Sequence, residues 1–104
     1  MLIVTSDQIE GRRIAEYLGI VSGDAVVGAN MFRDLFARVR DVVGGRAGGY
    51  EKALRGAKEA ALEDIAEEAA ERGANAIVGV DLDYESIGDS MLMVSVNGTA
   101  VRLE

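Results

Sequence analysis

The sequence predicts an α+β domain: an antiparallel β-sheet with two helices, one short and one long, packed on one face. Three observations lead there. Both ends of the chain are rich in β-branched residues that alternate with small or polar ones at the two-residue period of strands. The middle carries apolar residues at helical spacing. The order strand, strand, helix, helix, strand, strand keeps the helices together, as in folds that gather helices on one side of an antiparallel sheet. The chain of 104 residues has the length of one domain, taken as 1–104.

"MLIVTS" reads as a short opening strand. "DQIEGRRIAEYLG", bracketed by Gly11 and Gly19, mixes polar and apolar residues and fits turn, strand or both. "IVSGDAVVGAN" is strand-like, with Gly23–Asp24 and Gly28 as turn or bulge points. Asn30 suits a helix N-cap, and Phe32, Leu35, Phe36, Val39 and Val43 then recur at helical spacing until Gly44–Gly45. The longer helix runs from about Tyr50 to Arg72, its packed face formed by Tyr50, Ala53, Leu54, Ala57, Ala61, Ile65 and Ala69, with Gly73 as its stop. So much alanine favours helix and lets it lie close against a sheet, which must supply the apolar bulk. "NAIVGVDLDYESI" alternates, with Asp81, Asp83 and Glu85 on one face and Leu82 and Tyr84 on the other. "GDS" turns the chain into the last strand, "MLMVSVNGTAVRL", where Asn97–Gly98 marks a turn or bulge.

Composition excludes several chemistries. A net charge of −7 argues against nucleic acid and against an anionic membrane surface. The chain has no Cys and no His, so it has no disulfide, no thiol nucleophile and no imidazole triad. Thiolate and imidazole sites for zinc, copper or soft heavy metals are excluded too, which leaves hard cations bound by oxygen. No apolar run approaches the ~20 residues of a membrane span. The opening "MLIVTSDQIEGRR" lacks the basic start and long apolar core of a signal peptide, which predicts a cytoplasmic protein.

A small sheet has edges, and neither the first nor the last strand carries a guarding proline or lysine. Identical copies covering one another resolve this, and a head-to-tail contact closes a ring. A homo-oligomer is therefore expected.

"GANMFRD", "GGRAGGYEKAL", "GANAIVGVDLDYE" and "MLMVSVNGTAV", in that order, resemble the YbjQ-like family of small bacterial and archaeal proteins, from about Gly19 to Val101. The resemblance implies a dodecin-like subunit and a homopentameric ring. The family is mostly uncharacterised and often labelled heavy-metal-binding. This chain departs from that label by lacking thiols and imidazoles, and from relatives by its short turn at Gly88–Asp89–Ser90.

Four groups are candidate sites. The "GGRAGG" run fails the phosphate-loop pattern, because Gly49 is followed by Tyr50–Glu51–Lys52 in place of Lys-Ser/Thr. It fails the dinucleotide pattern because a predicted helix, not a strand, precedes it. It reads as a helix–helix joint that carries Arg46, Tyr50 and Glu51 toward a neighbour or a ligand. Asp81, Asp83 and Glu85 form a carboxylate row at ~7 Å spacing, suited to a hard cation or cationic ligand, to acid/base work, or to salt bridges with Arg33 and Arg46. Asn30 and Arg33–Asp34 open the first helix, where capping and dipole compensation account for Asn30 and Asp34. Met91 and Met93 share a strand face and suit interface packing better than copper.

The leading expectation is a non-enzymatic, ring-forming module that holds a small ligand or hard cation near subunit boundaries through Arg33, Arg46, Tyr50, Glu51, Asp81, Asp83 and Glu85. The alternatives are an enzyme with Asp81 or Asp83 as general base and Tyr50 as acid, or a purely structural oligomer. The sequence names no cofactor.

Overall fold

The computed structural model describes residues 1–28, 48–88 and 91–104, with 48–50 placed by backbone alone. They form strands β1 (Leu2–Ile3) and β2 (Ile14–Val27), helix α1 (Gly48–Glu71), and strands β3 (Ala76–Ile87) and β4 (Met91–Leu103). The expected short helix after Asn30 and the Gly44–Gly45–Arg46 part of the joint lie outside the described residues.

The strand order is β1-β3-β4-β2. β4 pairs antiparallel with both β2 and β3, as expected. β1 instead runs parallel to β3, with Leu2 opposite Ala76 and Ile3 opposite Ile77, so the sheet is mixed and not antiparallel throughout. The chain returns to β1 only after a long excursion through β2 and α1, and a connection of that length permits parallel pairing. β4, the last strand in sequence, is central, so the edges are β1 and β2.

α1 packs on one face, mainly over β2 and β4. Its buried line is Ala57, Ala61, Ile65 and Ala69, with Ala53 and Leu54 half-buried, matching the predicted stripe from Ala53 onward. The sheet supplies the bulk through Val21, Val27, Ile77, Val80, Leu92, Val94 and Val96. The helix ends as Gly73 predicts: Gly73 takes φ 82, while Gly73 N–H bonds the Ala70 carbonyl (3.0 Å) and Ala74 N–H that of Ala69 (3.0 Å). These are the paired bonds of a Schellman cap.

Gly23–Asp24, expected as a turn or bulge, is neither. Gly23 pairs with Val96 and Asp24 with Ser95 in unbroken register. Gly23 is required by the helix instead. A Cβ there would lie 2.4 Å from the Ala61 carbonyl oxygen and 2.6 Å from the Ile65 nitrogen. Helix backbone rests directly on strand backbone.

This close seat lets α1 reach past the edge of β2. Ser22 N–H donates to Glu68 (3.0 Å) and Asp24 N–H to Asp64 (3.1 Å). Arg72 Nη1 donates to the Leu18 carbonyl (3.0 Å) and Nη2 to Glu68 (3.1 Å). The β2 edge is therefore closed over its middle by three helix side chains, while the last strand, expected to lie unguarded at an edge, is central. At the far end of the sheet, Asn75 acts as a strand rung. Its Nδ2 donates to the Leu103 carbonyl (3.1 Å), and its Oδ1 accepts from Leu103 N–H (2.7 Å).

Candidate functional site

The carboxylate row owes its position to one extra residue. Val78 pairs with Thr99 and Asp81 with Asn97, so Gly79 and Val80 together oppose Gly98. The bulge anticipated at Asn97–Gly98 sits on the facing strand, where Gly79 takes φ 61. Gly98 makes room for it, since a Cβ there would lie 2.7 Å from Ile77 Cγ2 and 3.0 Å from Val80 Cγ2. Ile77 faces the helix, and plain alternation would send Asp81 the same way. The bulge reverses the phase. Val80 and Leu82 join the core under α1, and Asp81, Asp83 and Glu85 turn to the face that α1 leaves open.

That open face is layered. Near β1 a small apolar cluster of Ala76, Val78, Val101 and Leu103 packs with Val4, Ile9 and Ile14. Polar rungs follow: Ser22–Asn97–Asp81, then Asp24–Ser95–Asp83. Beyond them lie Val26–Met93–Glu85 and the pair Met91–Ile87. Asp24 is thus a fourth carboxylate on this face. Its parity with Ser22 along β2 was the signal, hidden because Gly23–Asp24 resembled a turn.

Asp81 and Asp83 are brought together on this face, close enough for each carboxyl to act on the other. Hydrogen bonding to the Asp81 side chain, then the Asp81 charge, slight desolvation and Glu85 raise the Asp83 pKa above 3.8. A raised carboxyl pKa means the folded chain holds this proton more tightly than the unfolded one. Its contribution to stability is full below the unfolded pKa and is lost as pH rises through the folded value. In thermal unfolding between pH 3 and 7, the native chain should therefore lose stability relative to Asp83→Asn as pH climbs past ~4. The effect is small because Asp83 is solvated. Parallel pH profiles for the two proteins would contradict the raised pKa of Asp83.

The other predicted residues are not gathered with the row. Glu51 stands in the first turn of α1, on the far side of the sheet. There it lines a hollow of about 290 Å³ with Leu54, Arg55, Lys58 and Tyr84. Tyr50 is placed by backbone only, and Arg33, Arg46, Asn30 and Asp34 lie outside the described residues. Met91 and Met93 are half-buried on the open face. No helix among the described residues is long and apolar enough to cross a membrane.

A family model, YbjQ, described as "Putative heavy-metal-binding", matches residues 1–104. Among solved structures, the chain is similar to a crystal structure from Pediococcus pentosaceus ATCC 25745, described as a protein of unknown function of the DUF74 family. The TM-score is 0.69 at 15% identity, over 100% of this chain and 98% of that one. This likeness speaks to the fold. The thiolate and imidazole donors that zinc and most soft metals favour are missing, because the sequence has neither Cys nor His. Among the described residues, no three acidic side chains are placed to hold an ion. With the match running the whole length of the sequence, the chain belongs to the YbjQ family.

Proposed function

We propose that this protein is a non-enzymatic binding module that assembles as a ring of identical copies. Its acidic sheet face takes a hard cation or a small cationic ligand at or near the boundary between copies. The observation that carries the reading is the open face, where Asp24, Asp81, Asp83 and Glu85 lie beside Met91, Met93, exposed Val26 and exposed Ile87. Apolar surface next to a polar patch favours contact with another chain, and a row of like charges favours a cation that offsets their repulsion. The family's description points to an ion ligand, and a carboxylate row in a chain without thiolate or imidazole favours a hard one. Because Glu51 lies across the sheet from the row, it acts on this face from a neighbouring copy; Tyr50, Arg33 and Arg46 are proposed as further ligand residues. The resemblance implies five copies.

Native mass spectrometry tests the assembly and the ligand together. The expected result is a multiple of the 11.0 kDa subunit mass plus a co-purified ligand. A clean subunit-mass species would sink the ring. Calcium, magnesium or manganese at ~100 times its Kd should raise Tm by the equivalent of about 2.7 kcal/mol. Asp83→Asn should abolish that rise and leave the oligomer intact. The raised pKa of Asp83 beside Asp81 favours a second reading, in which one carboxylate is a general base and Tyr50 the acid. Turnover in a substrate screen is what separates the two.

A further inference from the structure

We propose that the outer edge of β3, from Asp81 to Ile87, is a docking edge for an extended segment of a partner protein that carries Lys or Arg at every second position. The first observation is where β1 stops. Its side of β3 is last bonded at Gly79 N–H to the Ser6 carbonyl (2.9 Å) and Val80 N–H to the Val4 carbonyl (3.1 Å). β3 then continues to Ile87 in regular register with β4, and among the described residues nothing pairs with its outer side. A strand paired on one side only presents alternate N–H and C=O groups, the template for strand addition. The β2 edge is not equivalent, because α1 holds its groups at Leu18, Ser22 and Asp24.

The second observation is the charge on the two flanks of this edge. On the open face stand Asp81, Asp83 and Glu85, backed on β4 by Asn97, Ser95 and Met93, none of them cationic. On the helix face, Tyr84 and Leu54 sit in the hollow rimmed by Arg55, Lys58 and Glu51. An added strand places successive side chains on opposite flanks. Its residues on the open side meet carboxylates, and those between meet an apolar floor. The fitting segment therefore alternates Lys or Arg with apolar residues.

The third observation argues against a second copy as occupant. Antiparallel β3–β3 pairing would lay two carboxylate rows side by side, which is unfavourable. The β2 edge of a copy is closed over its middle by its own helix. This inference shares the acidic row with the reading above but needs neither a ring nor a cation.

The test titrates the full chain with a labelled eight-residue peptide alternating lysine and valine, read by fluorescence anisotropy. Saturable binding is expected, weakened by salt and lowered at least ~tenfold in D81N/D83N. Glu67→Gln, an exposed carboxylate on α1 away from this edge, should leave it unchanged. N-methylation of the alternate amides that point at β3 should abolish binding, and methylation in the other phase should spare it. Equal binding by both methylated peptides, equal binding by a glutamate–valine peptide, or no saturation would each overturn the proposal. So would an oligomer whose outward amides between residues 82 and 87 resist hydrogen exchange without peptide, because a second copy would then hold the edge. A peptide that binds while calcium, magnesium and manganese give no thermal shift supports this inference and sinks the cation reading; the reverse result does the opposite.

Discussion

Gly23→Val should lower stability by about 3 kcal/mol in urea unfolding, at the upper end of what overpacking costs. The atoms in the way are backbone: the Ala61 carbonyl oxygen and the Ile65 nitrogen lie 2.4 Å and 2.6 Å from where a Cβ would stand. A side chain could rotate aside, but a helix must move as a body, here by about 1 Å to restore van der Waals distance. That movement also stretches the bonds from Ser22 to Glu68 and from Asp24 to Asp64. Hydrogen exchange at those two amides should rise before that of the central strand β4. Gly23→Ala should cost less, because the first carbon alone meets the clash. A Gly23→Val protein within ~0.5 kcal/mol of the native chain would mean that the helix is not seated where it is described.

Ile65→Ala should cost about 4 kcal/mol, toward the top of the range for removing a buried isoleucine side chain. Ile65 is 0% exposed and is the largest side chain on the buried line of α1. The cost of such a cavity depends on how far the surroundings can collapse into it. Here they cannot. Its neighbours along the helix are Ala57, Ala61 and Ala69, with no volume to spare, and the helix already touches β2 at Gly23, so it cannot settle further. Ile65→Val should cost only about 1 kcal/mol. A loss below ~2 kcal/mol for Ile65→Ala would show that the core repacks more freely than an alanine-rich helix allows.

The two positions also show what was legible in the sequence. The helix from about Tyr50, its alanine stripe and its stop at Gly73 follow from spacing and from one glycine, and all of them stand. So do the last two strands and their alternation. The parallel placement of β1 was not readable, because a two-residue strand has no pattern to reveal its direction. Gly23 was misread for a related reason. Sequence marks a glycine but not whether it serves φ, a bulge or the close approach of another element, and Gly23–Asp24 has the composition of a turn. The bulge was anticipated at the right level of the sheet but on the wrong strand, since Gly79 and Gly98 face each other and either could have carried the extra residue. For the candidate site, the grouping of Asp81 and Asp83 follows from period two. Their separation from Glu51 does not, since it depends on which face receives the helix. Asp24 joins the face only through pairing with β4, a contact between residues far apart in the chain.

The guard on β2 is a pair of rulers with different divisions. Four residues of helix advance about 6.0 Å, and two residues of strand about 6.6 Å. Glu68 and Asp64 lie one such step apart, as do Ser22 and Asp24, so two short carboxylates can each meet an amide. Every further step adds about 0.6 Å of error. The next division toward the start of the helix falls on Ala60, opposite Val26, where the chain offers no acceptor. In the other direction the long arm of Arg72 makes up the difference and reaches Leu18. A straight helix can fasten a straight strand in this way only over a few rungs. The length of edge a protein can lock with one helix is thus set by the mismatch of two repeats, and the 14 residues of β2 exceed it.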